Sequence, residues 1–235
     1  MLYGHIAVGM AAKPFTPTVR LGVLLLAAMA IDTLCGLFVL VGIEWTDAGG
    51  ASYIPWSHGL FMAVVWSAAG FALSFLLSRD RRTALVIGLL VYSHWLLDFI
   101  SHPMGMGKVL PRDLPLLFGG SPKVGLGLYN SLPAALLTDL GMLAGAFALY
   151  LSTTRAVNRP GRWGPGLLLL FVALLAAPAA IPGLEVVPAL AMVLLLPLGN
   201  WVDRNRTPVK RRAAERADGQ SADAALERRS TRGRG

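Results

Sequence analysis

Apolar residues along this chain come in long runs, and polar residues mark where each run ends. Met1 to Lys13 is apolar but long enough for only half a bilayer. Thr16-Pro17 has the form of an N-cap followed by proline at the first helical position, which predicts a helix from there to about Ile43. Glu44 to Trp56, with Gly49, Gly50 and Pro55, reads as a polar loop. His58–Ser78 and Thr83–His102 are two further spans, parted by the charged turn Arg79-Asp80-Arg81-Arg82. A Gly/Pro-rich loop occupies Pro103–Asn130, and loops of this length without structure of their own are usually functional or disordered. Ser131–Ser152 is a fourth span, and Gly166–Ile181 and Leu184–Trp201 form an apolar hairpin around Pro182-Gly183. The pattern predicts an all-α polytopic transmembrane bundle over residues 1–202, with six spans and an N-terminal half-helix, followed by a disordered polar tail over residues 203–235.

Composition agrees: 55% of residues are apolar and only 14% charged, so the core is a helix bundle in lipid rather than a soluble domain. A cleaved signal peptide is disfavoured, because the apolar run continues past Ala28-Met29-Ala30. The single cysteine, Cys35, lies inside an apolar run and reads as a small packing residue. The net charge is +8, and the stretch from Asp203 onward supplies +5 of it, with ten Lys/Arg against five Asp/Glu. A basic tail beside a membrane points to anionic lipid head groups on the cytosolic side. No aromatic residue interleaves its arginines, which argues against nucleic acid. Lys13, Arg20, Arg79–Arg82, Arg155–Arg162 and the tail fall on one side of the six-span arrangement. Both termini are therefore expected in the cytosol of an inner-membrane protein, with the loops Glu44–Trp56 and Pro103–Asn130 facing outward. The tryptophans fall mostly near expected interfaces and need no site role.

The polar residues inside the spans change the picture most. VYSHWLLDFISH (Val91–His102) places His94, Asp98 and His102 at i, i+4 and i+8 on one helix face. Each ionisable group costs roughly 2.5–3.5 kcal/mol at a bilayer centre, so such a stripe needs partners. His5, Asp32 and His58 are the candidates. Counted from the basic helix ends at about 1.5 Å per residue, Asp32 and His94 both lie about 18 Å deep and Asp98 and Asp139 about 24 Å deep. The same rise puts His5 at about 12 Å and His58 and His102 near the outer end at about 30 Å. These residues therefore line the middle-to-outer half of the membrane and suit one outward-opening cavity.

Imidazole with carboxylate is the ligand set of zinc, and of iron or manganese where carboxylates are several. A divalent ion neutralises the buried aspartates and activates water for hydrolysis. His5, Asp32, His58, His94, Asp98 and His102 suffice for one ion with supporting partners, or for two ions. Asp98 or Glu44 is the expected base, Asp139 a supporting carboxylate, and Arg112, Lys123 and Asn130, with Lys108 nearby, the expected contacts to an anionic substrate. The glycines of KVGLGLYN (Lys123–Asn130) follow no strand and do not make a phosphate loop. Three other readings stay open: a metal-ion or small-solute transporter, a structural polar network locking the bundle, and a haem protein.

YGHIAVGMAAK at the start, AID at Asp32, GIEW at Glu44, YIPWSHGL at His58, SHWLLDFISH, RDLPL and KVGLGLYNS together resemble a group of bacterial integral membrane proteins. These are the membrane-bound metal-dependent hydrolases, sometimes labelled permeases, of the YdjM-like family, in turn similar to zinc-dependent phospholipase C. The resemblance covers roughly residues 1–152. It implies a metal centre at His5, Asp32, His58, His94 and Asp98, and metal-dependent hydrolysis of a phosphoester in or near the membrane. It departs from the pattern at Asp32, where the family favours two aspartates, and at PMGMGKVLP after His102, which reads as extra loop.

Overall fold

The computed structural model describes residues 1–46, 52–103, 110–176 and 190–209. The sequence readings at Gly49, Gly50, Lys108, Pro182-Gly183 and residues 210–235 lie outside them. Helix α1 (Leu2–Ala11) ends in a 3-10 turn (Lys13–Phe15). Then α2 (Leu21–Ala28) and α3 (Ala30–Leu40) meet at Met29 with a 59° bend. A short ribbon, β1 (Trp45–Thr46) with β2 (Ser52–Tyr53), leads into the single turn α4 (Pro55–His58). Two long helices follow, α5 (Leu60–Ser78) and α6 (Arg81–Ser101). The second ribbon pairs β3 (Leu114–Pro115) with β4 (Lys123–Val124) and precedes a 3-10 turn (Leu128–Asn130) and α7 (Leu132–Thr153). β5 (Thr154–Ala156), α8 (Arg159–Ala176), α9 (Leu195–Arg204) and β6 (Arg206–Pro208) complete the described chain, with β6 antiparallel to β5.

Length and apolarity let α5, α6 and α7 cross a membrane, and the bent pair α2–α3 makes a fourth crossing if it counts as one span. Three or four of the expected six spans therefore meet this test among the described residues. The three long helices differ in burial. Half of the apolar window of α6 is covered by protein, against 22% in α7 and 6% in α5. So α6 is the central helix, and α5 offers Phe61, Leu73, Leu76 and Leu77 to the surroundings, as a lipid-facing helix must. The α5–α6 turn closes through Arg79 in the left-handed region, φ 56°. Asp80 then caps α6, accepting hydrogen bonds from the backbone N–H of Arg82 and Thr83, both at 3.1 Å. The Thr83 hydroxyl and these N–H groups hold the Asp80 carboxyl below the usual carboxylate range.

Apolar packing sits on both sides of α1. On one side Ile6, Met10, Leu21, Leu25, Tyr150, Leu168, Val172 and Leu195 join α1, α2, α7, α8 and α9. On the other, Leu24, Ile31, Ala63, Leu90, Val91 and Trp95 join α2, α3, α5 and α6. Gly22 on α2 and Gly199 on α9 touch backbone to backbone: a Cβ on Gly199 would lie 2.6 Å from the Gly22 Cα. Small residues permit such close approach where dispersion, not hydrophobic exclusion, holds helices together.

Three expectations are corrected here. The helix expected from Thr16 to Ile43 is two helices, because the chain breaks at Met29 (φ −100°, ψ 8°) and starts only after Arg20. Thr16 caps nothing there; its hydroxyl donates back to the Ala12 carbonyl at 3.3 Å. The span expected from His58 begins after Gly59, whose extended backbone separates α4 from α5. Asp203, placed at the start of a disordered tail, lies within α9 and accepts a hydrogen bond from Lys13 Nζ at 2.6 Å. That ion pair, together with β6 on β5, ties this segment to the start of the chain and to α7.

Candidate metal centre

Four elements converge on one cluster. His5 comes from the buried face of α1, Asp32 from the first turn of α3, His58 from the end of α4, and His94 and Asp98 from adjacent turns of α6. His58 Nε2 lies 3.3 Å from Asp32 Oδ1 and 3.4 Å from Asp98 Oδ2. His94 Nε2 lies at the same two distances from the same two oxygens. His5 Nε2 is 3.2 Å from Asp98 Oδ1, its ring stacked on His94 with centroids 3.7 Å apart. The backbone nitrogen of Met1 approaches Asp98 Oδ1 at 3.4 Å. His5, His58, His94 and Asp98 are buried, and Asp32, with 32% of its side chain accessible, is where the cluster opens.

The hydrogen atoms of the imidazoles follow from their far sides. His94 Nδ1 is 2.8 Å from the Ala28 carbonyl, which can only accept, so the proton is on Nδ1. The bend at Met29 is what turns that carbonyl toward α6. His58 Nδ1 is 2.8 Å from Ser57 Oγ, whose own proton goes to Glu44 Oε2 at 2.6 Å, while Ser57 N–H donates to Glu44 Oε1 at 2.8 Å. Ser57 Oγ therefore accepts from His58, and that proton too is on Nδ1. His102 Nδ1 donates to Asp113 Oδ1 at 2.9 Å. With Nδ1 so engaged, His58 and His94 each turn Nε2 toward both Asp32 and Asp98, and His102 turns Nε2 toward Asp98 from 4.0 Å. A ring nitrogen held 3.3–3.4 Å from two carboxylates is stabilised there by positive charge, either a proton on Nε2 or a metal ion between the groups.

The donor set fits a divalent ion by a second measure. Ligands bound at about 2.0–2.2 Å sit roughly 3–3.5 Å from their neighbours around one ion. The four His–Asp separations fall in that range. Two overlapping triads, His5/His94/Asp98 and Asp32/His58/His94, each bring one ligating atom per residue within 4.8 Å of the others, and so can hold a metal ion. His94 Nε2 has no hydrogen-bond partner among the described residues although it is fully buried. Carboxylate, serine and carbonyl partners behind the ring nitrogens are the arrangement that fixes metal-binding histidines elsewhere.

The other expected residues fall around this centre. His102 stands just beyond the end of α6 with Nε2 4.0 Å from Asp98 Oδ2, at the rim rather than inside. Glu44 is buried, both oxygens engaged by Ser57, so it positions His58 instead of facing the cluster. Asp139 accepts a hydrogen bond from the Tyr129 hydroxyl through Oδ2, and its Oδ1 has no hydrogen-bond partner among the described residues. Burial first, and that bond second, hold the Tyr129 phenol protonated well above its ordinary value. Arg112 and Lys123 are exposed, with no ion pair among the described residues, and Asn130 closes the 3-10 turn before α7. The straight-helix depth count separates His58 from His94 by about 12 Å. Their ring centroids are 5.5 Å apart, because the break at Gly59 lets α4 fold in beside α6.

Ser57, Asp113 and the Ala28 carbonyl did not stand out in the sequence. Ser57 and Asp113 each carried a signal, adjacency to His58 and to Arg112 in motifs already singled out, whereas a backbone carbonyl leaves none. No family model matches the chain, and no curated protein or solved structure matches it either.

Proposed function

We propose that the chain is a membrane-bound metal-dependent hydrolase acting on a phosphoester at the outer face of an inner membrane. The observation that carries the reading is the set of Nδ1-anchored histidines whose Nε2 atoms face Asp32 and Asp98 at 3.3–3.4 Å. His58, His94, Asp32 and Asp98 would hold one ion, zinc by its preference for this donor set, and His5 with Asp98 Oδ1 offers ligands for a second. When bound, such an ion polarises a phosphoryl oxygen and activates water at neutral pH. The chain's own residues do the rest. Asp98 spans both ligand groups through its two oxygens. Ser57 and Glu44 hold the His58 ring in place. His102 keeps its proton on Nδ1, against Asp113, and leaves Nε2 as an acceptor at the rim for a water or hydroxyl. Arg112 and Lys123 supply positive charge from the loop on the same side as His102.

The resemblance to the YdjM-like hydrolases favours the same reading. Six spans with both termini in the cytosol, and anionic lipid against the basic tail, complete the proposal. The test is hydrolysis by detergent-purified protein of a chromogenic phosphomonoester, a phosphodiester and a phospholipid. At least one should be cleaved, with loss of activity on chelation and recovery on adding zinc. Cleavage of none by metal-loaded protein contradicts the hydrolase reading.

A further inference from the structure

At the far end of α7 from the metal centre lies a second polar site. Thr153 is fourteen residues beyond Asp139, about 21 Å along the helix axis. A cavity of about 730 Å³ opens there, lined among others by Lys13, Thr18, Thr154, Asp203, Arg206 and Thr207. That volume is in the range of small-molecule sites.

Its charge is unbalanced. Lys13 and Arg206 are 3% and 8% exposed, and the anion among the lining residues is Asp203. Asp203 pairs with Lys13 at 2.6 Å. Arg206 makes no ion pair among the described residues. Its Nε and Nη2 donate to Thr154 Oγ1 and O, both at 2.9 Å, and Nη1 donates to the Gly161 carbonyl at 2.6 Å. The guanidinium also lies 5.5 Å from the Tyr150 ring centroid. The lining therefore carries one net positive charge, largely buried.

Donors are also left over. Arg206 spends three of its five N–H groups in these bonds. Lys13 spends two of three, on Asp203 and on the Val19 carbonyl at 2.7 Å. Thr207 Oγ1 is buried without a hydrogen-bond partner among the described residues. A buried positive charge with spare N–H and O–H donors around an open cavity is complementary to a tetrahedral oxyanion. The walls of Pro14, Pro17, Pro208 and Val209 are apolar and suit the carbon skeleton beside such a group.

We propose that this cavity between Lys13, Arg206 and Thr207 binds a phosphate group, carried by an anionic phospholipid head group or by a free phosphate. The site is separate from the metal centre and does not depend on it.

The experiment measures binding to full-length protein in detergent, at constant ionic strength, of inorganic phosphate and of short-chain phosphatidylglycerol, with sodium chloride as the control. The wild type should bind at least one phosphate probe saturably. Binding of phosphatidylglycerol alone identifies the lipid as the source, and binding of both identifies free phosphate as sufficient. Arg206→Gln should raise Kd about tenfold or more, the value of a charge-assisted contact. Thr207→Val, which keeps the shape and leaves the Arg206 anchor intact, should weaken binding too and covers the case in which Arg206→Gln fails to fold. His94→Ala should bind as the wild type does. No saturable binding by the wild type overturns the proposal. So does binding that is unchanged in folded Arg206→Gln and Thr207→Val, or binding that is lost in His94→Ala and so belongs to the metal centre.

Discussion

Asp98→Asn should release the metal. The side chain keeps its shape, but the one residue that faces His5, His58, His94 and His102 loses its charge. Oδ1 and Oδ2 serve different histidines, so no neighbouring carboxylate replaces it; Asp32 Oδ1 already faces both His58 and His94. Loss of one of the two aspartate charges leaves three or four imidazoles around a single carboxylate, a poor site for a divalent ion in a medium where charge is not screened. The expected result is a fall from about one or two bound equivalents to none detectable after purification, with a helical spectrum like that of the wild type. Retained stoichiometric metal in Asp98→Asn contradicts the assignment of this residue.

The second large effect lies behind the ligands. Ser57→Ala and Glu44→Gln each break the chain that keeps the His58 proton on Nδ1. Without that acceptor the ring is free to turn, or to move its proton to Nε2, where it blocks the lone pair. Loss of such a partner typically costs 10–100-fold in metal affinity, and that range is expected for both variants. Removing the serine hydroxyl also leaves Glu44 Oε2 buried without its donor, at a cost of about 1–3 kcal/mol in stability. Affinity measured by chelator competition separates the two effects, since stability alone does not move it in protein that remains folded. Unchanged affinity in both variants means that His58 is not held this way.

Much of the centre was legible because bilayers make polar residues expensive. His94 and Asp98 at i, i+4 in an apolar helix demand a partner, and the other histidines of the chain were the available ones. All six expected ligand residues do lie within one neighbourhood, with His102 at its edge. Depth along straight helices was the weak step. It assumes unbroken spans, and the centre is built from breaks: Met29 exposes the Ala28 carbonyl, and Gly59 swings His58 inward. Hydropathy does not report the break at Met29, whose flanks are both apolar, and Gly59 lies at the very edge of its apolar run. The roles of Glu44 and Asp113 were misread or missed for a related reason. A carboxylate beside a membrane loop looks like a base or a solvated charge, and only contact with Ser57 or His102 shows that it orients a ring. At the other end, the ion pair between Lys13 and Asp203 joins residues 190 apart in sequence, a separation no local pattern reveals.

The most direct measurement is elemental analysis of detergent-purified protein, wild type beside His94→Ala. His94 belongs to both ligand triads, so one substitution reaches every arrangement of ions the cluster allows. The account predicts about one or two equivalents of zinc, or of iron or manganese, in the wild type and a loss of that metal in His94→Ala. No metal in the wild type, even after reconstitution with each of the three, would contradict it and leave the cluster a network of charged imidazoles and carboxylates that only locks the bundle.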